Sequence, residues 1–184
     1  MKFNKILSLC KKTHRVHLLT DCKNHIQYLS DNVAMYPLYG LPKMNMENIQ
    51  NLMGLTDSQR DSWIFSESDN VESVFTDDTF AGEERIEPLP INIDIAGLKT
   101  FTYTSSIGLI MIQKQYLEAL SCTGDVELYL RIYGANCDKY VIIAKSGLIN
   151  YGAINLVIPD ADTRTTFNTL ATQFSILCDN FKIK

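Results

Sequence analysis

Residues 125–158 constrain the fold more than any other stretch, because they read as three consecutive strands of one antiparallel sheet. From Asp125 to Tyr133, Val126, Leu128, Leu130 and Ile132 alternate with Glu127, Tyr129, Arg131 and Tyr133. A period of two of this kind gives a half-buried strand with one apolar face. Residues 134–138 (GANCD) supply a turn, and residues 139–145 (KYVIIAK) are apolar and β-branched enough for an interior strand. Ser146 and Gly147 turn the chain again, and residues 148–158 return as a third strand that Pro159 ends. Gly152 inside that strand marks a bulge or a close backbone approach.

The N-terminal part opens on a short amphipathic helix, with Phe3, Ile6, Leu7 and Cys10 on one stripe and Lys5, Lys11 and Lys12 on its other sides. From His14 the period changes to that of strands near 14–20, 25–30 and 33–38, separated by turns at 21–24 and 31–32. Asn45 is placed to cap a helix carrying Met46, Ile49, Leu52 and Met53, which Gly54 stops. Thr56 and Gln59 have the spacing of a capping box, predicting a further turn or two over 57–65 with Trp63 as its anchor. Residues 91–104 read as a hairpin, residues 107–112 as an apolar strand, and residues 113–120 as a short helix with Tyr116, Leu117 and Leu120 inward. Near the end, Phe167, Leu170, Ala171, Phe174, Leu177, Cys178 and Phe181 share one helical face, with Asp160 or Asp162 as its cap. These elements predict an α+β fold: a mainly antiparallel sheet, short amphipathic helices, and a C-terminal helix packed on one face. A chain of 184 residues suits one domain, here 1–184, with 40–90 as a helical and acidic insert between two β-rich halves.

Charge is distributed unevenly. Residues 1–23 hold six Lys or Arg against one Asp, whereas residues 66–87 hold eight Asp or Glu against Arg85 alone. The acidic run has little to bury apart from Val71, Val74, Phe75 and Phe80, and is expected to be an extended surface segment or mobile insert. Such polarity suits electrostatic steering of a partner, or an acidic segment folded back on a basic one. No apolar run approaches the eighteen or so residues of a membrane span. The apolar stretch Ile6 to Cys10 is too short for a signal peptide, and bulky Leu9 stands where a small residue would precede cleavage. Five widely spaced cysteines without a C-x-x-C pair fit reduced thiols, so a cytoplasmic location is expected.

Residues 1–38 and 107–158 share one order of elements: strand, helix, strand, strand, strand, with the first strand at Met1 to Phe3 in one unit and at 107–112 in the other. That order resembles the repeated unit of sliding DNA clamps, the polymerase processivity factors. The resemblance covers about half of the chain and rests on topology. It implies a nucleic-acid-associated module whose helices face DNA, with Lys5, Lys11, Lys12 and Arg15 as the basic residues at that surface. In composition the chain also resembles small orphan proteins of phages and mobile elements.

Catalytic and metal chemistry find little footing in the pattern. His14, His17 and Asp21 form one local group that His25 can join, but strand residues three apart point to opposite faces. Cys10 beside Lys11 and Lys12, and Cys22 beside Lys23, lack the context of reactive thiols. Ser105 and Ser106 lack a nucleophile-elbow context, and the glycines are isolated. No catalytic residue, metal or cofactor is assigned. The expectation is a non-catalytic binding protein with a protein partner foremost and nucleic acid as the alternative; an enzyme whose site assembles only in three dimensions is the third reading. Candidate partner-binding residues are Asp77, Asp78, Glu83 and Glu84 in the acidic run, and Tyr129, Arg131 and Tyr133 on the polar face of their strand.

Overall fold

The computed structural model describes residues 2–95, 97–120 and 126–156, together with Thr169, Thr172, Gln173 and Ile176. The chain begins with helix α1 (Phe3–Thr13) and a three-strand meander, β1 (Arg15–Asp21), β2 (Ile26–Ser30) and β3 (Ala34–Pro37). Helices α2 (Met46–Met53) and α3 (Asp57–Ser62) lead into β4 (Ile64–Ser68), and α4 (Ser73–Thr76) into the two-residue β5 (Glu84–Arg85). A second meander follows, β6 (Glu87–Ile95), β7 (Leu98–Ser105) and β8 (Gly108–Gln113). Helix α5 (Lys114–Leu120) precedes a third, β9 (Glu127–Tyr133), β10 (Lys139–Ser146) and β11 (Ile149–Asn155).

The expected α+β class holds. One eight-stranded sheet runs in the order β4-β1-β2-β3-β11-β10-β9-β5, and β6-β7-β8 form a separate sheet. Every pairing is antiparallel except β1 with β4. The first and third meanders meet at their last strands, where Met35 pairs with Ala153 and Ala34 with Ile154. The first and third meanders each follow a helix, and α1 and α5 lie against each other on one face of the joined sheet. Of the strand expected at Met1 to Phe3, Met1 lies outside the described residues and Phe3 already belongs to α1.

Burial explains this layering. Ile6, Leu7, Leu9 and Cys10 of α1 and Tyr116, Ala119 and Leu120 of α5 pack on Val16, Leu18, Leu29, Leu128, Leu130, Ile142 and Ile154, filling the core between helices and sheet. Lys11 and Lys12 sit in the last turn of α1, where the exposed carbonyls favour positive charge. Asn45 and Asn48 form a reciprocal cap on α2, Gly54 closes that helix in a left-handed conformation, and Thr56 and Gln59 cap α3 in the same reciprocal way. The short helix expected over 57–65 ends at Ser62, because Trp63 is extended and leads directly into β4. The strand β6 runs through Pro88 and Pro90 with a register break between Pro88 and Asn92, a tolerance that suits an edge strand.

Gly152 serves both purposes expected of it. Ala144 pairs with Gly152 but Lys145 pairs with Asn150, so Tyr151 is an extra residue in a bulge. A Cβ at Gly152 would come within 2.6 Å of Leu120 Cδ2 and 2.9 Å of the Met35 carbonyl oxygen. The proposed apolar face of the C-terminal helix lies outside the described residues; Thr169, Thr172, Gln173 and Ile176 are helical and exposed.

The Gly152→Ala substitution is expected to destabilise the fold by about 2 kcal/mol, since the Met35 carbonyl belongs to the β3–β11 seam and cannot withdraw cheaply. Urea unfolding measures it, and a change below about 0.5 kcal/mol would show that the seam is looser than described.

Candidate functional site

The two faces of the large sheet carry opposite charge. On the helical face lie Lys2 at the start of α1, Lys5, Lys11 and Lys12 along it, and Lys114 on α5, two helices that hold one carboxylate, Glu118, which Lys5, Lys114 and Lys2 face. Lys5 Nζ donates to Glu118 Oε2 at 2.8 Å, Lys114 Nζ lies 3.8 Å from Oε1, and Lys12 Nζ donates to Gln115 Oε1 at 2.9 Å. The hydrogen bond and charge of Lys5, with Lys114 and Lys2 behind them, hold the Glu118 carboxyl below its usual range. Five lysines against one glutamate leave this helix pair strongly positive on a chain whose formal charge is −4. Arg15, at the start of β1, is exposed.

On the opposite face the acidic run is not the extended surface segment that its composition suggests. It crosses the sheet as a strap, α4 included, with Val74 buried against Tyr28, Met35, Val141, Ile143 and Ala153, and with Val71, Phe75 and Phe80 packed around them. On the strand face carrying Tyr129, Arg131 and Tyr133, the strap buries Arg131 and leaves both tyrosines half-buried. Arg131 is 0% exposed. Its guanidinium donates to Glu83 Oε2 from Nε at 3.0 Å and from Nη2 at 2.9 Å, to the Val74 carbonyl at 2.6 Å, and to the Asp77 carbonyl at 2.5 Å. It also stacks over the Phe80 ring at 4.9 Å. Lys145 donates to Glu83 Oε1 at 2.5 Å and to the Asp78 carbonyl at 3.0 Å. One carboxylate thus bridges two buried cations, and three strap carbonyls complete their hydrogen bonding, the arrangement that makes buried charge tolerable.

The other residues of this set are divided in role. Glu84 accepts from the Ser106 backbone N–H at 2.7 Å and from the Ser106 hydroxyl, tying the edge of the large sheet to the β7–β8 turn. Tyr129 donates to Glu127 at 2.8 Å, and Tyr133 meets Phe75 edge to face at 5.8 Å. The side chains of Asp77 and Asp78 stay exposed. Asp77 accepts from the Thr79 backbone at 2.8 Å and from its hydroxyl at 3.1 Å, which holds its carboxyl below the usual range. Asn150, turned toward the strap by the Tyr151 bulge, donates to the Thr76 carbonyl at 3.3 Å.

The histidines are dispersed. His14 caps α1 in the left-handed region with φ of 55° and stacks on Trp63 at 4.8 Å, while His17 Nδ1 lies 2.6 Å from Ser66 Oγ of β4. His25 sits at the β1–β2 turn, where Asp21 accepts from the backbone of Lys23 and Asn24. Among the described residues no three His, Cys, Asp or Glu side chains converge on a point where a metal ion would sit. Cys10 lies beneath α1 with Sγ 3.9 Å from the Ser30 carbonyl, and burial, reinforced by nearby Asp31, pushes its thiol up to about 12. Cys22 and Cys137 are exposed. None of the described helices is long and apolar enough to cross a membrane.

Comparison with protein-family models, with curated proteins and with solved structures finds no match.

Alkylation of the native protein near pH 8 should modify Cys22 and Cys137 and spare Cys10 until denaturant is added; rapid labelling of Cys10 in the native state would contradict its placement. The Glu83→Gln substitution leaves Arg131 and Lys145 without their shared countercharge and should cost about 3–5 kcal/mol in urea unfolding. A loss below about 1 kcal/mol would show that the strap is not held by this network.

Proposed function

We propose that this chain is a non-catalytic binding protein whose working face is the α1–α5 pair and whose partner is the phosphate backbone of a nucleic acid. The observation that carries the reading is the concentration of Lys2, Lys5, Lys11, Lys12 and Lys114 on two adjacent helices whose one carboxylate is Glu118, while the opposite face wears the acidic strap. A phosphate backbone approaching this molecule is drawn to one side and repelled from the other. Two helix-plus-meander units joined at β3 and β11, with their helices side by side, support a clamp-like form of this reading, in which the helices track the duplex without reading its bases. The non-catalytic part is supported by Arg131, Lys145 and Glu83, whose charges are satisfied by one another and by strap carbonyls. Free thiols at Cys22 and Cys137 support a cytoplasmic setting, and the composition supports a phage-type origin.

A protein partner is the second reading. Leu148 and Ile149, 76% and 50% exposed at the β10–β11 turn, favour it, since adjacent exposed apolar side chains suit a protein contact.

Fluorescence anisotropy with a labelled DNA duplex over a range of salt separates the two. Five lysines less the one offset by Glu118 leave about four phosphate contacts, so log affinity should fall against log salt with a slope of about −3.6, and Lys12→Gln or Lys11→Gln should each reduce that slope by about 0.9. Binding that ignores both salt and these substitutions, or no binding at low salt, would overturn the nucleic-acid reading in favour of the protein partner.

A further inference from the structure

The basic helix α1 ends beside a stack of three rings. It closes at His14, which takes the left-handed conformation, φ 55°, that a helix end ordinarily gives to glycine or asparagine. The imidazole stacks on Trp63 with centroids 4.8 Å apart and planes 17° from parallel, and Trp63 stacks on Phe65 at 6.4 Å and 16°. The β1–β4 register pairs Val16 with Phe65. Val16 belongs to the core beneath the helices, and strand residues two apart share a face, so Trp63 and Phe65 stand on the side of the sheet that carries α1 and α5. Trp63 and Phe65 are half-buried, whereas His14, the outermost ring, is exposed.

We propose that His14 is a stacking platform for an unpaired base, and that the nucleic acid held on the helical face is a duplex with a single-stranded overhang. This rests on the nucleic-acid reading above and names the form of nucleic acid that the surface takes.

The ring is held in place before any ligand arrives. Trp63 supports one of its faces, and the Ile64 N–H donates to the His14 carbonyl at 3.0 Å, so a base added to the stack has little side-chain freedom to quench. Positive charge flanks it: Lys11 stands one helical turn before His14 and Arg15 directly after it, both exposed, so the phosphates on either side of a stacked base meet cations. Every base has a π-face, so such a platform is tolerant of sequence, as is a row of lysines that touches phosphates alone. Its position gives the overhang. The eleven residues of α1 span about 16 Å with Lys5, Lys11 and Lys12 along them, and His14 lies just past the C-terminal end, where a strand leaving that surface arrives. Bases inside a duplex are already stacked on one another, so an unpaired strand is what can use the ring.

Titration of the full chain with a labelled duplex carrying an overhang of about ten nucleotides, and with the same duplex blunt-ended, tests the proposal through label anisotropy and the fluorescence of Trp63, the chain's one tryptophan. The overhang duplex should bind about tenfold more tightly than the blunt one and change Trp63 emission on saturation. His14→Asn removes the ring but suits the left-handed backbone; it should abolish both the preference and the emission change while the salt slope of the blunt duplex stays the same. His14→Phe should keep the preference. The proposal is overturned if the overhang adds no affinity, if the preference survives His14→Asn, or if Trp63 emission is unmoved at saturation. In each of these cases salt-dependent binding of the blunt duplex leaves the nucleic-acid reading standing, whereas no binding of either duplex overturns both.

Discussion

A guanidinium with no exposure to water fixes the logic of the second sheet face. Arg131 lies in the middle of β9, and a buried charge without partners costs several kcal/mol after every relaxation a protein can offer. Once β9 is paired with β10, the side chain can be satisfied only from above the sheet, and the strap provides Glu83 together with the carbonyls of Val74 and Asp77. Lys145, on the neighbouring strand, shares Glu83 and draws in the Asp78 carbonyl. These contacts hold Val74, Phe75 and Phe80 against Val141, Ile143 and Ala153, so polar and apolar attachment reinforce each other. Without the ionic network the strap would have a small apolar surface set against the entropy of ordering some fifteen residues, each costing about 1–2 kcal/mol of backbone freedom.

The same arrangement separates charge across the molecule. By folding the acidic run onto the face opposite α1 and α5, the chain keeps those carboxylates away from the lysines of the helix pair, among which Glu118 pairs with Lys5. The bulge at Tyr151 contributes to both sides: it turns Asn150 toward Thr76 in the strap and keeps Gly152 under Leu120 of α5. Glu84 extends the connection to the smaller sheet through Ser106. Three layers thus depend on a few residues near the ends of strands.

Much of the β architecture was legible because it follows from local periodicity. The alternation in 125–133, the apolar run at 139–145 and the caps at Asn45, Gly54 and Thr56 each determine local structure with neighbours only a few residues away. The strap was not legible for the opposite reason: Arg131 and Glu83 are 48 residues apart, and Lys145 and Glu83 are 62 apart, so nothing in their local pattern announces the pairing. An alternating Tyr-Arg-Tyr face reads as solvent-exposed because polar residues usually are. One signal did point the other way. In β10 both Val141 with Ile143 and Ile142 with Ala144 are apolar, so that strand needs cover on two faces, and the polar face of its neighbour β9 must lie beneath the same cover. The parallel pairing of β4 with β1 had no such signal, since Ile64 to Ser68 is half exposed and follows a short helix. Of the candidate sites, the lysines of α1 were visible beside its apolar stripe, whereas the network of Glu83, Arg131 and Lys145 exists only once strap and sheet are brought together.

Amide hydrogen exchange of the native protein tests the central claim most directly, because it reads the order of the strap residue by residue. The Asp77 N–H bonded to the Ser73 carbonyl, the Phe75 N–H bonded to Glu72 and the Ile86 N–H bonded to Leu128 should exchange slowly, with Ile86 approaching the protection of β9 and β10. Exchange of Phe75 and Asp77 at the rate of an unfolded peptide, beside a protected β9, would show that Arg131 is not the anchor of this face and would contradict the account.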